Sequence, residues 1–524
     1  MNTGGQGVEA VALLFVVVIV LGTFARRLVI PYPILLVIGG LLLGFVPGLP
    51  PVRLDPNLVF FVFLPPILWS AAYFTSFRDF RANLRPILLL ALGLVVATTA
   101  TVAAVAHAVV PGMGWAGAVA LGAIVSPPDA VAASAIAQRL AVPRRIVSIL
   151  EGESLLNDAT ALTIYRAALG VAATAVTVSV VGSLASFVFV ALGGILIGIV
   201  IGWVAVWVRT HLDDTPVEIT VSLITPYAAY LPAELLGVSG VLAAVTAGLF
   251  IGRRSSRITG SEVRLAGRAT WESLVFLLNG VVFLAIGFQI ATISREMDRA
   301  SLLQLAGVGL VVSVALIVVR AAWVFALSAR DMLAKDQRPI RLRESIVLSW
   351  AGMRGVVSLA AALALPISLP FGPLPARDAI IVITFTVILV TLVGQGLTLP
   401  LVIRAVGMGR DSDNEHEESH ARQALTEEAL RRIDVLQEKW PNHRPLIDQL
   451  RTSYQHRAEH EEQLHEAPGN EAEQELVEHR QIRRDVIDAQ REALNAMRDR
   501  GAIDDDALRN IERELDLEEI RMEA

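Results

Sequence analysis

The chain has 524 residues, 54% of them hydrophobic, and no cysteine, so disulfides, thiolate metal sites and thiol redox chemistry are excluded. With a mean hydropathy of +0.58 and apolar runs that repeatedly reach the roughly 18 to 25 residues a bilayer-crossing helix needs, it reads as a polytopic membrane protein. The formal charge of −6 is unevenly spread: residues 411–524 carry −15 and residues 1–410 carry +9.

Met1 to Val8 hold no positive charge, so the first apolar run lacks the basic flank of a cleaved signal peptide and reads as a retained span. Up to Arg410 the pattern resolves into about thirteen apolar segments. Lys and Arg fall 19 to 4 in alternate loops, which places the amino terminus outside and the carboxyl tail in the cytoplasm. The third segment contains Leu64-Pro65-Pro66-Ile67-Leu68-Trp69-Ser70.

The fifth segment contains Ser126-Pro127-Pro128-Asp129-Ala130-Val131. Each proline removes a backbone donor and blocks the preceding turn, so this helix must break at membrane depth, beside Asp129. Such irregular backbone is tolerated only where protein or an aqueous cavity surrounds it. The freed carbonyls near Ser126 are candidate cation ligands.

The sixth segment carries Glu151-Gly152-Glu153-Ser154-Leu155-Leu156-Asn157-Asp158. Charge in a bilayer is costly, so an intramembrane Asp points to a functional site with a cation or a proton as its partner. On a helix, Glu151, Ser154 and Asp158 share one face, and Glu153 and Asn157 a neighbouring one. A hard monovalent cation wants oxygen ligands, which Asp158, Ser154 and the carbonyls near Ser126 supply. Protonating Asp158 removes the charge that holds the ion, a simple basis for exchange. Asn157 reads as a brace for the broken helix, through Asp129.

Among the other intramembrane charges, Arg166 reads as snorkelling to the outer interface. Glu218 and Glu344 lie near cytoplasmic ends, and Glu234 precedes an outer turn. Arg320 is expected to pair with Glu272 or to reach the inner interface. Seven segments after the first break, Trp350-Ala351-Gly352-Met353-Arg354-Gly355 interrupts another apolar run. Seven is odd, so the two broken spans cross in opposite directions, as an inverted-topology repeat requires. Arg354 needs a partner, either Glu153 or the carbonyl ends of the crossing helices.

From Asp411 onward the chain is charged and helix-forming, a separate cytoplasmic region over residues 411–524, with a last short helix capped by Asp504-Asp505-Asp506. Seven of the nine histidines lie there: His416, His420, His443, His456, His460, His465 and His479. Their titration near neutrality suits a pH-responsive regulatory tail, although solvated histidines on exposed helices account for them too. His456 and His460 have helical metal-pair spacing without a third ligand.

The segments Ser126 to Val131, Gly152-Glu153-Ser154-Leu155-Leu156-Asn157-Asp158, Phe276-Leu277-Leu278-Asn279-Gly280 and Gly352-Met353-Arg354-Gly355 resemble, in order, the signatures of the monovalent cation:proton antiporter-1 family, specifically its bacterial sodium/proton members. The resemblance runs through most of the membrane region. It implies an all-α fold of thirteen transmembrane helices in inverted repeats with two broken, crossing helices, and a six-helix core moving against a dimerisation domain in a homodimer. It also implies Asp158 as the ion and proton carboxylate, Asn157 and Asp129 as supports of the crossing, and an ion pair of Glu153 with Arg354. The Asn157-Asp158 pairing resembles the electroneutral branch, one cation against one proton. Two departures stand out: Ser70 occupies a position that is commonly acidic in relatives, and Pro128 one that is often Thr. Ser70 remains a candidate ligand through its hydroxyl.

The expected activity is exchange of Na⁺, or of Li⁺ or K⁺, against H⁺ across a bacterial inner membrane, with no cofactor and no nucleic-acid partner. The alternatives are a K⁺/H⁺ antiporter of the same fold, a cation channel, and a receptor signalling through the tail to a cytoplasmic partner. A channel should show a ring-forming filter motif, and none is visible. Enzymatic chemistry finds no phosphate-cradling loop, no His-Glu-x-x-His pattern and no Ser-His-Asp spacing.

Overall fold

The computed structural model describes residues 3–28, 31–47, 56–174, 180–333, 340–366, 368–369, 372–373, 376–408, 412–466 and 470–500, with isolated positions beyond. It divides into two compact units, Met1–Asp411 and Ser412–Ala524. Arg53, Lys335, Arg338 and Asp504 to Asp506 lie outside the described residues.

Among the described residues the regular structure of the first unit is helical, apart from a hairpin of two-residue strands in which Ser368 faces Pro373. Its helices are α1 (Thr3–Leu28), α2 (Tyr32–Gly44), α3 (Val59–Phe74), α4 (Leu84–Val109), α5 (Trp115–Val125), α6 (Ala130–Arg139), α7 (Arg144–Thr174) and α8 (Val180–Arg209). There follow α9 (Thr215–Leu235), α10 (Gly240–Gly252), α11 (Ser261–Glu296), α12 (Arg299–Leu333), α13 (Leu342–Trp350), α14 (Val356–Leu363) and α15 (Arg377–Ala405). Six continuous stretches among the described residues are long and apolar enough to cross a bilayer, counting α5 and α6 as one. The remainder fall short for physical reasons: α10 and the α13 and α14 pair are short, and α7 carries the acidic cluster from Glu151 to Asp158.

Local chemistry sets the helix starts. Side chains of Asp129, Asp214 and Ser239 accept backbone N–H bonds at the first turns of α6, α9 and α10, satisfying donors that lipid cannot. Small residues set the packing, because lipid offers no hydrophobic drive between apolar helices. Helices α2 and α11 lie so close that a Cβ on Gly40 would strike the Leu284 carbonyl and one on Gly287 the Val37 carbonyl.

Two apolar clusters result. The larger joins α2, α4, α5, α7, α11, α14 and α15; the smaller gathers Trp69, Ala229, Ala243, Ala247 and Trp271 from α3, α9, α10 and α11. In contrast, α8 and α12 turn large apolar side chains such as Phe189, Leu196, Trp203 and Leu303 outward, as lipid-facing helices do.

Peripheral charges settle into pairs. Arg209 meets Glu218 at 2.8 Å with both side chains buried, and Arg145 meets Glu344 at 3.2 Å. Arg166 engages Glu234 at 2.8 Å while remaining half exposed.

The second unit contains α16 (Ser412–Lys439), α17 (Arg444–Glu466) and α18 (Asn470–Asp499). Ile487 and Leu494 of α18 form a small core with Leu508 and Leu515. Beside it, Arg491 reaches both Asp516 and Glu519 at 2.6 Å, and this hydrogen bonding holds the Glu519 carboxyl below its usual range. His420, His443 and His456 are exposed; the side chains of His416, His460, His465 and His479 lie outside the described set.

Candidate ion site at the crossing of two broken helices

Helix α5 ends at Val125 and α6 begins at Ala130, so the proline pair does break the span. Helix α13 ends at Trp350 and α14 begins at Val356, with Ala351 to Gly355 between them outside any helix. The two breaks meet: the Asp129 N–H donates to the Met353 carbonyl at 2.7 Å. Four helix termini therefore gather inside the protein, two presenting N–H groups and two presenting carbonyls, each with a partial charge of about half an electron.

Two ionisable side chains answer them. Asp129 lies between the N-termini: Oδ1 accepts from Val131 N–H of α6 at 2.9 Å, and Oδ2 from Val356 N–H of α14 at 3.4 Å. Arg354 lies among the carbonyls, donating from Nε to Val125 at 2.9 Å, from Nη2 to Ser126 at 3.5 Å and from Nη1 to Gly352. Its backbone N–H donates to Thr391 Oγ1 at 3.1 Å. A carboxylate on the positive ends and a guanidinium on the negative ends match the dipoles in sign.

Gly355 makes this proximity available, since a Cβ there would collide with the Asp129 carboxylate. Gly355→Ala is expected to lower stability by about 1–3 kcal/mol through overpacking and to reduce transport in proportion. A wild-type melting temperature for this variant would contradict the packing.

Helix α7 runs past the crossing and presents the acidic cluster to it. Asn157, fully buried, donates from Nδ2 to the Pro128 carbonyl at 2.9 Å. Its bond to the break runs through this carbonyl and not through Asp129. Ser154 Oγ accepts from Ala130 N–H at 3.4 Å. Glu151, toward the start of α7, receives Thr75 Oγ1 at 3.4 Å and Gln138 Nε2 at 3.3 Å.

Asp158 lies one turn beyond Ser154 on the same face, with 5% of its surface accessible. Among the described residues its carboxylate makes no hydrogen bond or ion pair. Asp158 is thus the one acid of the cluster whose charge the protein itself leaves unanswered.

Glu153 corrects an expectation. Its carboxylate is bidentate with Arg320 of α12, at 2.6 Å and 2.8 Å, both side chains 1% exposed. It is not the ion-pair partner of Arg354, whose guanidinium donates to three carbonyls at the helix ends instead. Arg320 also donates to the Leu348 carbonyl of α13 at 2.9 Å. Its expected partner Glu272 pairs with Arg268 at 2.8 Å, one turn away on α11. The two buried guanidinia of Arg320 and Arg354 flank Gly352.

The candidate ligands are not all assembled. Ser126 donates to the Ala123 carbonyl at 3.1 Å and Ser70 to the Ile67 carbonyl at 2.9 Å, each within its own helix. Ser70 makes no hydrogen bond to the crossing among the described residues. Residues that sequence reasoning overlooked are Arg320 as the Glu153 partner and Thr391 as the anchor of Arg354. A lone arginine deep in the apolar run of α12 was the signal for the first; nothing in the sequence marked the second.

The profile of the family described as sodium/hydrogen exchanger, transmembrane, matches residues 12–405. The chain belongs to this family. The exchanger is 35% identical over 529 residues to an uncharacterized Na⁺/H⁺ exchanger of Mycobacterium tuberculosis, covering 98% of this chain and 96% of that one. It is 35% identical over 409 residues to the sodium, potassium, lithium and rubidium/H⁺ antiporter of Bacillus subtilis, covering 75% of this chain and 61% of the relative. Among solved structures, the sodium proton antiporter MjNhaP1 from Methanocaldococcus jannaschii aligns with a TM-score of 0.62 at 18% identity, covering 78% of this chain and 99% of that one. The exchanger shares that fold, and it is a multi-pass membrane transporter of the cation/proton antiporter class, not an enzyme.

Proposed function

We propose that the exchanger carries one Na⁺ against one H⁺ by letting the two compete for Asp158. The observation that carries this reading is the buried Asp158 carboxylate with no partner among the described residues. An isolated anion at membrane depth needs a proton or a cation to neutralise it. Binding one excludes the other, which couples the two flows. Ser154 is the further oxygen donor proposed for the cation, since Arg354 and Asn157 already engage the Val125, Ser126 and Pro128 carbonyls, and Ser70 is a candidate only through its hydroxyl.

Asp129, Asn157 and Arg354 hold the crossing in shape as the site turns from one side of the membrane to the other, and Glu153 with Arg320 ties α7 to α12. In this reading the membrane unit makes thirteen crossings in inverted repeats and works as a homodimer in the bacterial inner membrane. The amino terminus lies outside and residues 411–524 form a regulatory cytoplasmic tail.

A second cation deserves equal testing. The Bacillus subtilis relative is named for sodium, potassium, lithium and rubidium, and Ser70 leaves this site without an acid that relatives often carry there. K⁺/H⁺ exchange is therefore the second reading. Proteoliposomes loaded with a pH dye and challenged with Na⁺, Li⁺ or K⁺ separate the two. With one charge moving each way, an imposed membrane potential should change neither the rate nor the end point. A potential-dependent end point would overturn the 1:1 ratio, and no exchange with any cation would overturn the function.

A further inference from the structure

Away from the crossing, Arg209, Arg253, Arg264 and Arg268 line a cavity of about 360 Å³ between the ends of α3, α8 and α10 and the start of α11. This is within the size range of small-ligand sites. Among the described residues no acidic side chain lines it. Two of its arginines have carboxylate partners outside the cavity lining, Arg209 with the buried Glu218 and Arg268 with the exposed Glu272, each at 2.8 Å. Arg253 and Arg264 meet no carboxylate among the described residues: Arg253 lies over the Phe77 ring, 4.9 Å from its centroid, and Arg264 donates to the Thr259 carbonyl. Val263, in a first turn of α11 that no side chain caps, lines the same cavity.

The walls of this cavity therefore hold an excess of fixed positive charge and forked donors, the arrangement that recognises a phosphate group. Its rim is apolar. Phe74 lines the cavity and is 47% exposed, and Leu265 beside Arg264 is 60% exposed. The basic loops around it are those that charge bias assigns to the cytoplasmic face. Basic pockets between membrane helices on that face take anionic headgroups. We propose that this cavity binds a phosphate group carried by an anionic phospholipid, its acyl chains lying against the exposed apolar rim.

The test uses the full chain in nanodiscs of phosphatidylcholine into which phosphatidylglycerol is titrated. Retained lipid is read by native mass spectrometry after release, and the melting temperature is read in parallel. Phosphatidylglycerol should be retained and raise the melting temperature, whereas phosphatidylcholine should do neither. The double variant Arg253→Ala with Arg264→Ala should weaken phosphatidylglycerol retention at least about tenfold, since two charge-assisted contacts are lost. Arg257→Ala, on the same loop but outside the cavity, should leave it unchanged. If the alanine pair does not fold, the paired lysine variant, which keeps the charge but loses the fork, should still weaken retention. Equal retention by wild type and the cavity variants overturns the proposal. An arginine-dependent thermal shift with inorganic phosphate but none with the lipid overturns its lipid source.

Discussion

Asp158→Asn should reduce cation-driven proton movement in proteoliposomes to the level of empty vesicles while leaving the protein folded. Asn keeps the volume and polarity of the side chain but neither titrates nor carries a charge. Because the substitution removes a buried carboxylate without a partner, the melting temperature should hold or rise. Loss of transport with intact stability separates this outcome from misfolding. The wild type should show the sign of the competition. As pH falls and the carboxylate fills with protons, the apparent affinity for the cation should drop by on the order of tenfold per pH unit on the acid side. Full exchange by the Asn variant, or an apparent cation affinity that does not change with pH, would remove Asp158 from the mechanism.

The second large effect concerns stability. Arg320→Leu strands Glu153 inside the protein, where its carboxylate is 1% exposed, and should cost about 3–5 kcal/mol. Adding Glu153→Leu should recover most of the loss, because an apolar pair of similar volume replaces the ion pair without leaving a bare charge. Recovery should stop short of wild type, since the Leu348 carbonyl also loses its donor. Thermal melts of the two single variants and the double variant check this. A double variant no more stable than Arg320→Leu would show that the pair does not act as a unit.

The places where helices break were legible, because Pro127-Pro128 and the glycines around Arg354 obstruct the backbone locally. The shared face of Ser154 and Asp158 followed from helical spacing alone. Partnership was harder to read. Glu153 and Arg320 are 167 residues apart, and which arginine meets the acid depends on the rotation of α12 about its axis, set by packing along its whole length. For Arg354, two partner types remained open, and the carbonyl ends took it because the crossing brings several together in one place. Thr391 could not be found, since a buried threonine in an apolar helix differs little from one that merely bonds its own backbone.

The crossing also constrains how the protein is made. Asp129 and Val125 emerge early from the ribosome, but Val356 and Arg354, which complete their hydrogen bonds, follow 227 and 229 residues later. Asp129, Ser154 and Asn157 answer part of the first break as soon as α7 is made, but until residues 353 and 354 follow, the Val125 and Ser126 carbonyls and the Asp129 N–H lack the partners they have in the folded protein. A nascent chain stopped before residue 354 thus holds open backbone groups that lipid cannot satisfy.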